Sequence, residues 1–145
     1  MNEQIKNDLV SAMKNHDKFL TSVLRMLKSA IQSETINKKS ELTDDEIIAV
    51  IKKQVKIRTS SLEEYQKYNR TDLANDLQKE IDILSKYLPE ELSEAELEKV
   101  IDDTITELNA TSIKDMGKVI KQVKESVGSR ADMTLVSKIV KDKLN

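Results

Sequence analysis

Apolar residues recur at three- and four-residue spacing along almost the whole chain, a period typical of α-helices that bury one face. The pattern predicts four helices before Pro89 and three shorter helices after it. The apolar stripes of these seven helices begin at Ile5, Leu20, Ile48, Leu73, Leu97, Met116 and Leu135. We therefore predict an all-α protein.

Several helix starts are marked by side chains that can accept hydrogen bonds from free backbone N–H groups. Thr43 followed by Glu46, and Ser93 followed by Glu96, have the spacing of a capping box, in which each side chain bonds the other's backbone. Single N-caps are predicted for three further helices, at Asp17, Ser112 and Asp132. We predict that Gly128 ends the sixth helix.

The strongest helix-breaking residues are confined to the C-terminal part of the chain. The first 88 residues contain no glycine or proline, and the three residues of these types are Pro89, Gly117 and Gly128. We therefore predict a boundary at Pro89. The expected domains are an N-terminal helical body over residues 1–88 and a C-terminal three-helix module over residues 89–145.

Composition narrows the class of protein. The chain has 145 residues, of which 38% are hydrophobic and 34% charged, with one Phe, three Tyr, no Trp and no Cys. A sheet-rich fold and an aromatic platform for single-stranded nucleic acid are therefore not expected, and disulfides and thiolate metal sites are excluded. No apolar run approaches the roughly 20 residues of a membrane span, and the first residues lack a signal-peptide core. A cytoplasmic protein without membrane contact is expected.

Catalytic motifs are absent from the sequence. The single histidine, His16, falls in a polar turn, and Thr59–Ser61 lies in a predicted helix without a neighbouring base or a glycine-rich oxyanion loop. The carboxylates at 44–46 and 94–98 are explained by their positions near helix starts, where the helix dipole favours negative charge. We predict no catalytic residue, no metal site and no cofactor.

Charge is distributed unevenly after residue 85. Residues 86–111 hold two basic and eight acidic side chains, whereas residues 112–145 hold eight basic and four acidic ones. Basic residues follow one side of the sixth helix, the turn after it and the last helix. They are Lys114, Lys118, Lys121, Lys124, Arg130, Lys138 and Lys141. Phosphates attract such arrays, although a solvated helix face explains the same spacing.

Seven short segments together resemble the GatB/YqeY family, in particular its stand-alone YqeY-like members. They are Val23–Lys28, Leu42–Glu46, Asn69–Leu73, Tyr87–Ser93, Asp115–Val119, Arg130–Asp132 and Leu135–Val136. The YLP-x-x-LS and DMGKV strings are the specific ones, and the likeness runs through the chain in order. The sequence departs from the family pattern at Glu125–Ser126, in place of proline and lysine, and at Met133, in place of glycine.

The resemblance implies a helical bundle followed by a small module similar to the tail of the B subunit of tRNA-dependent amidotransferase. In that enzyme the tail contacts tRNA, while the amidation of Glu-tRNA(Gln) or Asp-tRNA(Asn) takes place in other domains. The implied function is a non-catalytic tRNA-binding or amidotransferase-associated accessory protein, linked to carbon–nitrogen ligase activity by family only. Amidotransferase or aminoacyl-tRNA synthetase components are the implied protein partners. The likeness also implies that Gly117 permits close packing, that Lys118 faces RNA and that Arg130 belongs to a basic turn.

Two other functions remain open from the sequence. The rival function is a protein–protein adaptor that docks a partner through its acidic fifth helix or its long third helix. An independent amidohydrolase would require a nucleophile and a base, which the sequence does not display.

Overall fold

The computed structural model describes all residues, Met1–Asn145, and contains only helices and connecting turns. The predicted all-α fold is confirmed. The chain divides into two compact units, Met1–Leu88 and Pro89–Asn145, each with its own apolar core. No helix has both the length and the apolar character that crossing a membrane would require.

The first unit has four helices. They are α1 (Asn2–Lys14), α2 (Lys18–Lys38), α3 (Asp44–Lys67) and α4 (Thr71–Ser85). Each packs on the next, and their apolar stripes meet in a core built around Ile5, Val23, Leu27, Ile51 and Leu84. The 24 residues of α3 give it a length of about 36 Å.

The helix starts of this unit follow the predicted chemistry. The Thr43 hydroxyl accepts a hydrogen bond from the Glu46 N–H at 3.2 Å, and the Glu46 carboxylate accepts one from the Thr43 N–H at 3.2 Å, so the capping box is complete. The Asp17 carboxylate accepts the Leu20 N–H at 3.1 Å, which caps α2. The sequence therefore fixes these starts through local side-chain to backbone bonds.

Helix ends use non-glycine residues in the left-handed conformation. His16, Asn69 and Asn109 have φ values of 55°, 58° and 52°. Each follows a helix end with the Schellman pair of backbone bonds, for example His16 N–H to Met13 O and Asp17 N–H to Ala12 O. Lys39 (φ 63°) is left-handed at the end of α2. The chain thus turns its first-unit corners without the glycine that usually occupies such positions.

A charged side chain is buried between the helices of the first unit. Arg58 on α3 is 8% exposed, and its Nη1 donates to the main-chain carbonyl and the side-chain oxygen of Gln54. Its Nε lies 3.6 Å from a carboxylate oxygen of Glu80 on α4 and has no hydrogen-bond partner. The guanidinium therefore links α3 to α4 through an ion pair, because burial without a counter-charge would be costly.

The second unit has three α-helices and two short 3₁₀ turns. The helices are α5 (Glu94–Glu107), α6 (Met116–Val127) and α7 (Met133–Leu144), with 3₁₀ turns at Ile113–Asp115 and Gly128–Arg130. All three α-helices contribute to one apolar core. It includes Leu97, Ile101, Val119, Val123, Val127, Val136, Ile139, Val140 and Leu144.

The predicted caps of this unit are confirmed with one exception. Ser93 forms its capping box with Glu96, and the Asp132 carboxylate accepts the Thr134 N–H at 2.9 Å. The prediction that Ser112 caps α6 is wrong. Ser112 precedes a 3₁₀ turn and makes no side-chain cap bond, and α6 begins four residues later. A 3₁₀ turn uses bonds between residues three apart, so it can precede an α-helix without a capping side chain.

Candidate nucleic-acid interface

The helix α6 presents three of the seven predicted basic residues, and a fourth lies on the turn that leads into it. Its buried positions are Val119, Val123 and Val127, which lie on one face because they are four residues apart. At 100° per residue, Lys118 and Lys121 project to the opposite side, and Lys124 lies at its edge. Lys114 stands on the 3₁₀ turn that leads into the helix. We call Lys114, Lys118, Lys121 and Lys124 the lysine stripe.

The four ammonium groups of the lysine stripe are exposed, and none takes part in an ion pair or side-chain hydrogen bond. From Lys118 to Lys124 the helix rises about 9 Å. Unpaired cations along such a surface can neutralise successive phosphates and release their counterions. The arrangement is therefore chemically suited to a polyanion.

Gly117 occupies open space on the same side of α6. A Cβ built at this position would have no heavy atom within 4 Å, so the expectation that Gly117 permits close helix packing is wrong. The residue is exposed and lies one helical turn before Lys121. The protein's own packing gives no reason for a glycine here, although glycine lowers helix stability. The position leaves helix backbone uncovered beside the lysine stripe.

Arg130 has a structural function in addition to its charge. Its Nε donates to the Val127 carbonyl at 3.3 Å, and its Nη2 donates to the Ser126 carbonyl at 3.2 Å. These bonds satisfy carbonyls at the end of α6, where a cation is also favoured by the helix dipole. The Arg130 carbonyl accepts the Leu92 N–H at 2.9 Å. Arg130 is exposed, and both hydrogen bonds that its guanidinium makes are to its own chain.

The basic residues of α7 do not share one environment. Lys138 and Lys141 are both exposed. Lys138 lines a groove of about 290 Å³ together with Glu94 and Glu98 of α5 and Asp142 of its own helix. The neighbouring carboxylates weaken the positive potential around Lys138. We therefore regard it as a poorer phosphate ligand than the lysine stripe.

Lys143, also on α7, is engaged with α5. Its ammonium donates to an Asp102 carboxylate oxygen at 2.7 Å, and this hydrogen bond raises the pKa of Lys143 above its ordinary value. The pair joins the acidic helix to the last helix on the exposed side of the core. Because its ammonium is already paired with Asp102, Lys143 is less available to a ligand than the unpaired lysines.

Glu125 interrupts the positive surface of α6. It is exposed and lies one helical turn after Lys121, on the side opposite the buried valines. Met133, the other departure from the family pattern, is the first residue of α7 and packs against the core of the second unit. The first departure therefore changes the charge of the candidate interface, whereas the second contributes apolar packing.

With the helices and the lysine stripe established, the family can be assigned. The sequence model of the Yqey-like protein family matches residues 2–144. The chain belongs to the YqeY-like family. The resemblance derived from short motifs is thereby confirmed over nearly the full chain, and the match includes both units.

Similar proteins of this kind occur in fungi. An uncharacterized protein of Schizosaccharomyces pombe is 33% identical over 89 residues, 61% of this chain and 72% of the relative. The protein of Pyrenophora tritici-repentis named altered inheritance of mitochondria protein 41, mitochondrial, is 27% identical over 142 residues, 96% of this chain and 78% of the relative. The Saccharomyces cerevisiae protein of the same name is 29% identical over 125 residues, 86% of this chain and 66% of the relative.

The names of these relatives say nothing of RNA. They do place two of the three relatives in mitochondria, so the cytoplasmic location expected from the sequence stays a prediction. For a YqeY-like chain the case for a nucleic-acid interface therefore rests on the geometry of α6 and on the family motif that surrounds Gly117.

Proposed function

We propose that this YqeY-like protein is a non-catalytic RNA-binding accessory protein, with tRNA as its ligand and the lysine stripe as its contact surface. Amidotransferase or synthetase components would be its protein partners. The motifs shared with the amidotransferase tail favour tRNA over other polyanions. The same role could be served in the cytoplasm or in mitochondria, where the named fungal relatives are placed.

The observation that carries this proposal is the open backbone at Gly117 beside unpaired lysines. A glycine whose Cβ would touch nothing has no packing function, and it destabilises a helix relative to alanine. Close approach of a ligand to the backbone accounts for it, since a side chain would keep a phosphate group away. Lys118 and Lys121 follow Gly117 within about one helical turn and supply the charge beside this uncovered backbone.

The direct test is filter binding of total tRNA across a salt series. The charge reversal Lys118→Glu with Lys121→Glu removes two phosphate contacts. We expect roughly a tenfold or larger loss of affinity at low salt, and a salt slope that is lower by about 1.4 to 1.8. The matched control is Lys53→Glu with Lys56→Glu, which makes the same change of charge on α3, where both lysines are exposed.

Two results would contradict the proposal. One is absence of tRNA binding by the unaltered protein at low salt. The other is equal loss of affinity in the α6 and α3 double variants, which would mean that only total charge matters. Both variants alter exposed residues, so circular dichroism is expected to show unchanged helix content.

The alternative function is a protein–protein adaptor, and one observation favours it. The acidic helix α5 exposes six carboxylates. Glu94, Glu96, Glu98, Asp102, Asp103 and Glu107 are all exposed. Only Asp102 is neutralised by an ion pair, the one with Lys143. A pulldown that recovers a basic protein partner after nuclease treatment, without enrichment of tRNA, would support the adaptor.

A further inference from the structure

A second cationic surface lies in the first unit, outside the lysine stripe. It is a cleft of about 400 Å³ at the corner between α1 and α2. Its lining consists of Met13, His16, Lys18, Thr21, Ser22 and Arg25. The lining thus includes two positively charged side chains, Lys18 and Arg25, together with the His16 imidazole and two hydroxyl groups. It includes no carboxylate.

The register of α2 brings most of these groups together. Lys18, Ser22 and Arg25 are separated by four and three residues, so they follow one face of the helix over two turns. Thr21 is adjacent to this row. His16 and Met13 reach the same opening from the corner that ends α1. The cleft is therefore assembled from two helices and their turn.

Arg25 is the one arginine whose guanidinium makes neither an ion pair nor a hydrogen bond within the protein. Of the four arginines in the sequence, Arg58 pairs with Glu80, Arg70 lies 3.9 Å from Asp72, and Arg130 donates to helix carbonyls. The Arg25 guanidinium makes no ion pair or side-chain hydrogen bond, and the same is true of Lys18 and His16. Three basic side chains that line one cleft are thus available to a ligand.

The neighbouring acid does not neutralise the cleft. Asp17 lies between His16 and Lys18 in sequence, but its carboxylate accepts the Leu20 N–H and lines a different cavity, shared with Asp8 and Tyr87. The start of α2 is therefore capped by the protein itself. A ligand in the cleft would depend on side-chain donors, not on the helix terminus.

We propose that this cleft binds a phosphate monoester. Lys18 and Arg25 together carry two positive charges. They balance the negative charge of a phosphate monoester, which is about −1.5 to −2 at neutral pH. Arginine can bind two phosphate oxygens in parallel, and Ser22 and Thr21 provide hydroxyl donors between the two cations. The monoester could belong to a free nucleotide or to the 5′ end of an RNA. The assignment does not depend on RNA binding by the lysine stripe.

The single histidine makes the test specific. In a protein with ¹³C-labelled histidine, the ring signals come from His16 alone. Inorganic phosphate is titrated at constant pH and constant ionic strength, with chloride as the balancing anion. We expect saturable movement of the His16 ring signals. Arg25→Gln is expected to weaken phosphate binding roughly tenfold, because it removes a charge-assisted hydrogen bond.

The matched control is Lys28→Gln. It removes one positive charge from the same helix at an exposed position that does not line the cleft. Lys28→Gln is expected to bind phosphate as the unaltered protein does. Equal affinities of the Arg25→Gln and Lys28→Gln variants would overturn the proposal, as would the same His16 movement with chloride alone. Circular dichroism establishes that both variants are folded.

A further arm identifies the source of the monoester. Two RNA oligonucleotides of one sequence are compared, one with a 5′ phosphate and one with a 5′ hydroxyl. Movement of the His16 signals by the phosphorylated oligonucleotide alone supports the RNA end as the ligand. Movement by inorganic phosphate and by neither oligonucleotide supports a small phosphorylated ligand. Equal movement by both oligonucleotides would overturn the monoester assignment, because the phosphodiester backbone would then suffice.

Discussion

The hydroxyl of Tyr87 donates a hydrogen bond to the carboxylate of Asp8, across 79 positions of sequence. Tyr87 follows α4 and Asp8 lies in the middle of α1, so the bond joins the end of the first unit to its beginning. The Tyr87 ring also packs against both apolar clusters of this unit. The residue that precedes Leu88 and Pro89 is therefore part of the folded body.

Replacing Tyr87 with phenylalanine removes the hydroxyl and leaves the ring. We expect Tyr87→Phe to lower the free energy of unfolding at pH 7 by about 1.5 to 3 kcal/mol, the usual net value of a hydrogen bond to a charged group. Urea denaturation measures the change. Tyr68→Phe is the control, because Tyr68 is 65% exposed, and its effect is expected to stay within about 0.5 kcal/mol.

The same bond gives a pH dependence with a defined sign. Burial and the Asp8 hydrogen bond raise the pKa of Tyr87 above its ordinary value. Above about pH 10 the unfolded chain loses this proton while the folded protein keeps it, so stability falls as pH rises. We expect a steeper decline of the free energy of unfolding above about pH 10 in the unaltered protein than in Tyr87→Phe. Parallel declines would contradict this.

Substitution at Gly117 separates stability from ligand binding. Because a Cβ meets no atom there, we expect Gly117→Ala to raise the free energy of unfolding by about 0.5 kcal/mol. We also expect weaker tRNA binding, since the methyl group covers the backbone beside the lysine stripe. Thermal denaturation and filter binding measure the two effects. Thr106→Ala, on the exposed surface of α5, is the control and should leave tRNA affinity unchanged.

The left-handed lysine at the end of α2 predicts a stabilising substitution. Lys39→Gly removes the Cβ that disfavours this conformation, and we expect a gain of about 1 kcal/mol in the free energy of unfolding. Asn69→Gly should gain less, because asparagine tolerates the conformation better than lysine. Urea denaturation of both variants tests the order. An equal or larger gain at Asn69 would show that the strain at Lys39 is relieved by other contacts.

Breaking the buried ion pair between Arg58 and Glu80 is expected to lower the free energy of unfolding more than breaking an exposed pair. Glu80→Gln leaves the Arg58 charge buried without its counter-charge, and we expect a loss of roughly 1 to 3 kcal/mol. Asp72→Asn breaks the exposed pair with Arg70 and should cost less than about 1 kcal/mol. Chemical denaturation of the two variants compares them directly. Similar losses of stability in the two variants would mean that the hydrogen bonds to Gln54 are sufficient to stabilise the buried Arg58 charge without Glu80.

Local chemistry explains which parts of the fold could be predicted from the sequence. The apolar period and the capping boxes at Thr43 and Ser93 are short-range signals, and the structure places both helix starts as expected. The start of α6 was mispredicted at Ser112, because the signature of an N-cap does not distinguish an α-helix from a 3₁₀ turn. Among the left-handed corners, Lys39 gave no recognisable signal, because lysine is not a usual turn residue, whereas asparagine at positions 69 and 109 favours this conformation.

The candidate sites depend on how residues from separate helices pack together, so their environments are harder to predict from the sequence than the helices themselves. The spacing of Lys118 and Lys121 was sufficient to predict their shared exposed side. Spacing could not show that Arg130 caps α6 or that Lys138 lies among carboxylates, because both depend on how separate helices and turns pack. Arg25 was missed for the same reason. Its neighbours in the cleft include Met13 of α1 and His16 of the following turn, which the sequence of α2 alone does not reveal.

The glycine-free corners of the first unit have a consequence for how this protein can change. A corner closed by glycine carries no functional group, whereas a corner closed by His16 places an imidazole at the rim of a cationic cleft. Substitution at such a position alters the chemistry offered to a ligand while the backbone bonds that end the helix remain available to other residues. A substitution at His16 would therefore change the chemistry of the cleft without rebuilding α1 or α2.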